Sequence, residues 1–152
     1  MALKIGDIVP NFIAKDTKGE WFESKNIVGR KPLVIYFYPK DNTPGCTTEA
    51  CSFRDAYEDF KDLGAEVIGI SSDSVKSHQK FAKKHQLPFI LLSDEDKKLR
   101  KLFGVYNRLL GLIPGRVTYV ADKNGVIILI FDGLNAQKHI EKALDTVKEL
   151  VS

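Results

Sequence analysis

Cysteine is scarce in this chain: there are two in 152 residues, Cys46 and Cys51. A count that low excludes a disulfide framework as the device that holds the fold together. No apolar run approaches the roughly 20 residues that span a bilayer. The opening stretch, MALKIGDIVPNF, lacks the charged-then-apolar pattern of a secretory leader. A non-membrane protein of the cytoplasm is therefore expected, or of an organellar stroma if a transit peptide has been removed. Also missing is any block of Lys and Arg with interleaved aromatics. The net charge of +3 is small and dispersed, so no nucleic-acid partner is expected. The densest basic cluster, Lys97, Lys98, Arg100 and Lys101, reads as the wet face of a helix. Repeats, low-complexity segments and linkers are absent too.

What remains is enough for one core. Hydrophobic residues make up 43% of the chain, and the 28% charged residues are mixed in sign. One domain over residues 1–152 is expected. Phe12 to Asp16 and Glu20 to Ser24 flank a turn at Thr17-Lys18-Gly19 and predict a hairpin. Leu33 to Tyr38 and Glu66 to Ser71 are continuous apolar runs suited to strands buried on both faces. Between them Phe53, Tyr57, Phe60 and Leu63 recur at helical spacing, and Gly64 closes that helix. A helix over Val75 to His85, a short strand at Phe89 to Leu92 and a helix from Glu95 to Phe103 capped by Asp94 follow. Arg116 to Asp122 and Val126 to Phe131 are joined through Asn124-Gly125, the mark of a tight antiparallel turn. Ala136 to Val151 predicts a last amphipathic helix with Ile140, Leu144, Val147 and Val151 on one face. The order implies an α/β fold: a mixed sheet with helices on both faces.

The two cysteines lie in YPKDNTPGCTTEACSFRD, Tyr38 to Asp55. Pro44 suits the first position of a helix, which puts Thr43 at the N-cap and Cys46 in the first turn. A capping Thr43 oxygen would reach the backbone near Cys46. The positive end of the helix dipole favours the thiolate, the nucleophilic form of cysteine. Five residues along a helix separate two Cα atoms by about 8.7 Å. A disulfide needs about 4.4–6.8 Å. The pair cannot be bonded while this turn is helical, so a permanent staple fits poorly. A pair separate in one redox state and joined in another fits better. A metal site fits worse, because four ligands are needed. The three histidines, His78, His85 and His139, are scattered singly and read as surface or edge residues.

Pro39, Thr43 and Cys46 fit the pattern Pro-x-x-x-Thr-x-x-Cys, and with Cys51 in TPGCTTEACSFRD they resemble the peroxiredoxins. The match is closest to the subgroup called bacterioferritin comigratory protein or peroxiredoxin Q. It runs from Gly6-Asp7-Ile8-Val9-Pro10-Asn11-Phe12 through Gly69-Ile-Ser-Ser-Asp73 to Pro114–Gly125. The resemblance implies a thioredoxin-like fold with an N-terminal β-hairpin extension. It implies that Cys46 attacks hydrogen peroxide or an organic hydroperoxide and becomes a sulfenic acid. Cys51 would then close an intramolecular disulfide, and thioredoxin or a similar dithiol reductant would reopen it. Arg116 matches the family's arginine from a later strand, which would stabilise the thiolate and the leaving oxygen. Glu49 would orient that arginine, Pro39 would shield the sulfur, and the Thr43 hydroxyl would donate to thiolate or peroxide. The backbone N–H of Gly45 would face the substrate. No cofactor or metal is implied, and a monomer is expected. Leu109, Leu110, Leu112 and Ile113 would border the peroxide entrance or a partner surface. The chain lacks a Gly-Gly-Leu-Gly segment and a Tyr-Phe C-terminal arm, so resistance to overoxidation is expected. A non-enzymatic peroxide-sensing switch and an inert thioredoxin-fold module are the alternatives.

Overall fold

The computed structural model describes residues 2–105 and 115–151. Seven strands form one sheet in the order β2-β1-β5-β4-β3-β6-β7. They are β1 (Ile13–Lys15), β2 (Trp21–Glu23), β3 (Leu33–Phe37), β4 (Glu66–Ser71), β5 (Ile90–Ser93), β6 (Val117–Ala121) and β7 (Ile127–Asp132). The helices are α1 (Pro44–Asp62), α2 (Val75–His85), α3 (Lys98–Phe103) and α4 (Ala136–Val151). β3, β4 and β5 run parallel, and β1, β2, β6 and β7 add antiparallel pairings. This is the mixed thioredoxin-like sheet with an N-terminal hairpin. Among the described residues no helix is long and apolar enough to cross a membrane.

β3 explains how two cores form. All five of its residues are buried, and successive side chains leave a strand on opposite faces. Val34 and Tyr36, with Tyr38 just beyond the strand, join Phe53 and Phe60 of α1, Phe81 of α2 and Ile140 and Val147 of α4. Leu33, Ile35 and Phe37 join Phe12, Leu99 and Phe103 on the other face. Each fully buried side chain of this size contributes about 1.5–3 kcal/mol. Tyr36 stacks on Phe53 with ring centroids 4.5 Å apart. The stack depends on Gly69: a Cβ there would lie 2.8 Å from the Tyr36 ring carbon Cζ and 2.9 Å from Leu91.

Several expectations need correction. α3 starts three residues later than expected, because the Asp94 carboxylate accepts from the backbone N–H groups of Leu99 and Arg100 and Lys97 is left-handed. Its basic residues are not one wet face: the lysines are exposed, but Arg100 is buried. On α4, Val151 is exposed, and His139 and Ala143 complete the buried face. His78 and His139 are not surface residues; both are fully buried and hydrogen-bonded, while His85 is half-buried. Leu109, Leu110, Leu112 and Ile113, the expected entrance, lie outside the described residues.

Candidate active site

α1 begins directly after the loop that leaves β3, at the C-terminal edge of the parallel strands. In open α/β sheets that edge is where ligands bind. Cys46 occupies the first turn of α1 and is buried; Cys51 lies further along the same helix and is half-buried. Both are free thiols. The helix runs unbroken through them, so the spacing argument holds in this conformer and the sulfurs are held apart.

Arg116 and Glu49 meet at Cys46. Arg116, the residue before β6, donates from Nη2 to the Cys46 Sγ at 3.3 Å. Its Nη1 donates to Glu49 Oε1 at 2.5 Å. Both arginine and glutamate are out of water, at 5% and 0% exposure. β6 brings Arg116 there because it pairs antiparallel with β3, with Val117 opposite Phe37. Helical spacing does the rest: Glu49 is three residues from Cys46, so both side chains share a face. Burial pushes the Glu49 carboxyl from its ordinary value of 4.5 up to about 8, against the pull of Arg116. Burial also works against the Arg116 charge, but Glu49 and Cys46 more than offset it and hold the guanidinium above its ordinary range.

Gly45 lies against the same guanidinium: a Cβ on it would be 3.0 Å from Arg116 Nη2. Pro39 is half-buried in the loop between β3 and α1. Thr43 is the N-cap residue by backbone geometry, but its side chain makes no capping bond. The hydroxyl donates to the Lys40 carbonyl at 2.9 Å, so its proton is directed back into the loop and not toward Cys46. The first-turn backbone is held by Thr47 N–H donating to the Thr43 carbonyl.

Arg100 and His78, expected at the surface, brace this loop from inside together with Asp41. Arg100 donates to the carbonyls of Tyr38 and Gly115, tying the residue before Pro39 to the one before Arg116. Asp41 is buried and accepts from the Tyr38 hydroxyl at 2.6 Å and the Ser77 hydroxyl at 2.9 Å, with His78 Nδ1 at 2.7 Å. The other His78 nitrogen faces the Leu92 carbonyl, which can only accept. Asp41, Asp73 and His78 bring ligand atoms within 4.8 Å of one another. Their atoms are already engaged by protein hydrogen bonds, as Asp73 Oδ2 is by Ser71 and by the Asp41 N–H. The signal for His78 was its place three residues before Phe81 on a helix with a narrow apolar stripe.

A cavity of about 360 Å³ lies apart from these residues. It is lined by Lys15, Trp21 and Asp94 near the hairpin and includes none of the site residues.

A dry, arginine-bound cysteine thiol at the start of the helix after β3 of a thioredoxin-like sheet defines a thiol-dependent peroxidase. The sequence comparisons give the same class. The AhpC/TSA family model matches residues 5–130. Peroxiredoxin Q, chloroplastic, of Sedum lineare is 52% identical over 146 residues, covering 95% of this chain and 78% of that protein. Two solved structures are similar throughout. Peroxidoxin BcpB of Mycobacterium tuberculosis has a TM-score of 0.90 at 35% identity, covering 99% of both chains. Xanthomonas campestris peroxiredoxin Q has a TM-score of 0.85 at 32% identity, covering 93% of this chain and 92% of that one. The chain belongs to the AhpC/TSA, or peroxiredoxin, family, within the peroxiredoxin Q and bacterioferritin comigratory protein subgroup.

Proposed function

We propose that the peroxidase works as a two-cysteine enzyme with both cysteines in one chain. The Cys46 thiolate attacks the terminal oxygen of hydrogen peroxide or an organic hydroperoxide, and the O–O bond breaks. The leaving oxygen takes a proton and departs as water or an alcohol, and Cys46 becomes a sulfenic acid. The Cys51 thiol then displaces that hydroxyl as water and forms the Cys46–Cys51 disulfide. A thioredoxin-like dithiol reduces it by exchange, becoming a disulfide itself.

The observation that carries this reading is the Arg116 guanidinium 3.3 Å from the Cys46 sulfur in a site closed to water. A fixed cation there stabilises the thiolate and the charge that develops on the leaving oxygen. Glu49 holds the guanidinium in place by its other nitrogen. Gly45 supplies backbone N–H and leaves room for Arg116. Pro39 covers the sulfur from the loop side, and Thr43 shapes that loop through Lys40. Thr43 keeps its oxygen lone pairs for the substrate. Because the helix separates the cysteines, disulfide formation includes unwinding of the first turns of α1.

An intramolecular disulfide needs no second chain, which favours a monomer. The chloroplastic names of the plant relatives support an organellar stroma as the compartment. The test is peroxide consumption driven by a thioredoxin system with wild type and Cys46→Ser. Loss of turnover in the variant is expected. Turnover retained by the variant would overturn the assignment, and a wild type that is oxidised but never recycled would favour a switch.

A further inference from the structure

Glu49 Oε2 is buried and makes no hydrogen bond, although the other oxygen of the same carboxyl binds Arg116. An unsatisfied buried carboxylate oxygen is costly unless a proton or a cation neutralises it. A second ionisable group beside the carboxyl is His139 on α4, whose Nδ1 is 3.8 Å from Glu49 Oε2. His139 is fully buried, with the Phe131 ring edge-on at 4.7 Å. Its Nε2 faces the Gly133 carbonyl at 2.7 Å, and a carbonyl only accepts, so Nε2 carries a proton. In the neutral ring Nδ1 is therefore the lone pair, and the Thr118 hydroxyl, 2.7 Å away, can donate to it or accept from it. The ring can thus take a second proton at Nδ1 without losing either neighbour.

We propose that His139 is a positioning residue for the peroxide reaction: with Glu49 it holds one proton behind Arg116, leaving the guanidinium charge directed at Cys46. The proposal rests on the peroxidase reading above. The charge count gives the reason. With the proton in the Glu49–His139 pair, Arg116 and the Cys46 thiolate balance. Without it, the buried carboxylate competes with the thiolate for one guanidinium, and two anions share a dry site. The proton can sit on either partner. On Glu49 it turns Oε2 toward the Nδ1 lone pair; on His139 it makes an imidazolium beside a carboxylate.

Among the described residues, Cys46 on α1, Arg116 before β6 and Tyr36 on β3 also act on Glu49. Burial, with Glu49 and Cys46, pushes the Tyr36 phenol well above its ordinary range, so it stays neutral. Asp132, at the end of β7, is exposed. Glu49 itself is raised to about 8 by burial, which puts the loss of this proton within reach of a pH profile.

The experiment is the rate constant of Cys46 oxidation by hydrogen peroxide, measured by rapid quench from pH 5.5 to 9.5. Wild type, Glu49→Gln, His139→Gln, His139→Phe and the Glu49→Gln/His139→Gln double variant are compared. Wild type is expected to slow at high pH as the pair loses its proton. Removing the imidazole should move that limb down by about one pH unit, changing the ratio of rates at pH 6.5 and 8.5 about tenfold. Glu49→Gln should lack the limb, and His139→Gln should then shift nothing further. His139 variants that keep the wild-type limb, with rates scaled equally at every pH, would reduce His139 to packing and overturn the proposal. Should those variants not fold, histidine ¹⁵N resonances and the protonated-carboxyl infrared band of the wild type decide. A proton lost from the pair with the midpoint of the rate limb supports the proposal. A neutral His139 beside an ionised Glu49 throughout overturns it. Absence of Cys46 oxidation in the wild type at any pH would refute the peroxidase reading instead.

Discussion

Replacing Glu49 with Gln should change the slope of stability against pH. The carboxyl ionises near 4.5 in an exposed chain and near 8 in the native site, because burial disfavours its charge more than Arg116 favours it. Between those values the native state keeps a proton that the unfolded chain has lost. Stability therefore falls as pH rises, by about 1.4 kcal/mol per pH unit for one proton. The contribution is full below pH 4.5 and is exhausted above about 8. Between pH 5.5 and 7.5 the unfolding free energy of the wild type should drop by about 2–3 kcal/mol relative to Glu49→Gln. Glu49 is fully buried, so solvent screening does not reduce that figure. Losing the carboxylate partner of Arg116 shifts the variant as a whole and does not affect the comparison of slopes. Urea unfolding of both proteins in reducing buffer, at pH steps from 5 to 9, measures the difference. Curves parallel to within about 0.5 kcal/mol, or a gap that changes in the opposite direction, would refute the reasoning.

Arg116→Met removes the cation 3.3 Å from Cys46, and the rate of Cys46 oxidation should fall by on the order of 10² to 10³. Arg116→Lys should recover only part of it in the same stopped-flow assay, because one ammonium cannot bridge sulfur and carboxylate as the fork does. Gly45→Ala places a Cβ 3.0 Å from Arg116 Nη2, and oxidation should slow about tenfold through a displaced guanidinium. Urea unfolding should find that variant no less stable, since alanine is better than glycine in a helix by about 1 kcal/mol. Hydrogen exchange should report the helix opening. Backbone amides over residues 47–51, protected by helical hydrogen bonds in the reduced protein, should lose protection by about tenfold or more once the disulfide forms.

The elements with one dominant signal were legible in the sequence. β4, α2 and α4 have the expected bounds, β3 lacks only Tyr38, and α1 keeps the proline start and the glycine close. Cys46, Glu49 and Arg116 were each named, and the fold brings them together across 70 residues. What the sequence did not disclose was polar burial. His139 falls on the same face as Ala136, Ile140, Ala143 and Val147, a helical spacing that carries the signal. A histidine in an otherwise wet-looking helix masks it, because its burial depends on Thr118 and Gly133 from other elements. Arg100 hides among lysines for the same reason: only tertiary structure supplies the carbonyls of Tyr38 and Gly115. Thr43 illustrates the converse, where a sound local rule for helix caps lost to a competing acceptor, the Lys40 carbonyl.

Separated sulfurs, one reacting first and one joining it afterwards, are the centre of this account. Stopped-flow oxidation of wild type and Cys51→Ser by hydrogen peroxide, with quenched samples weighed by mass spectrometry, tests it most directly. The account predicts equal first-phase rates in the two proteins. The wild type should then lose two hydrogens to the Cys46–Cys51 disulfide, while the variant should stop at a Cys46 sulfenic acid after one turnover. A Cys51→Ser variant that fails to react, or a wild type whose Cys46 is oxidised without ever joining Cys51, would contradict it.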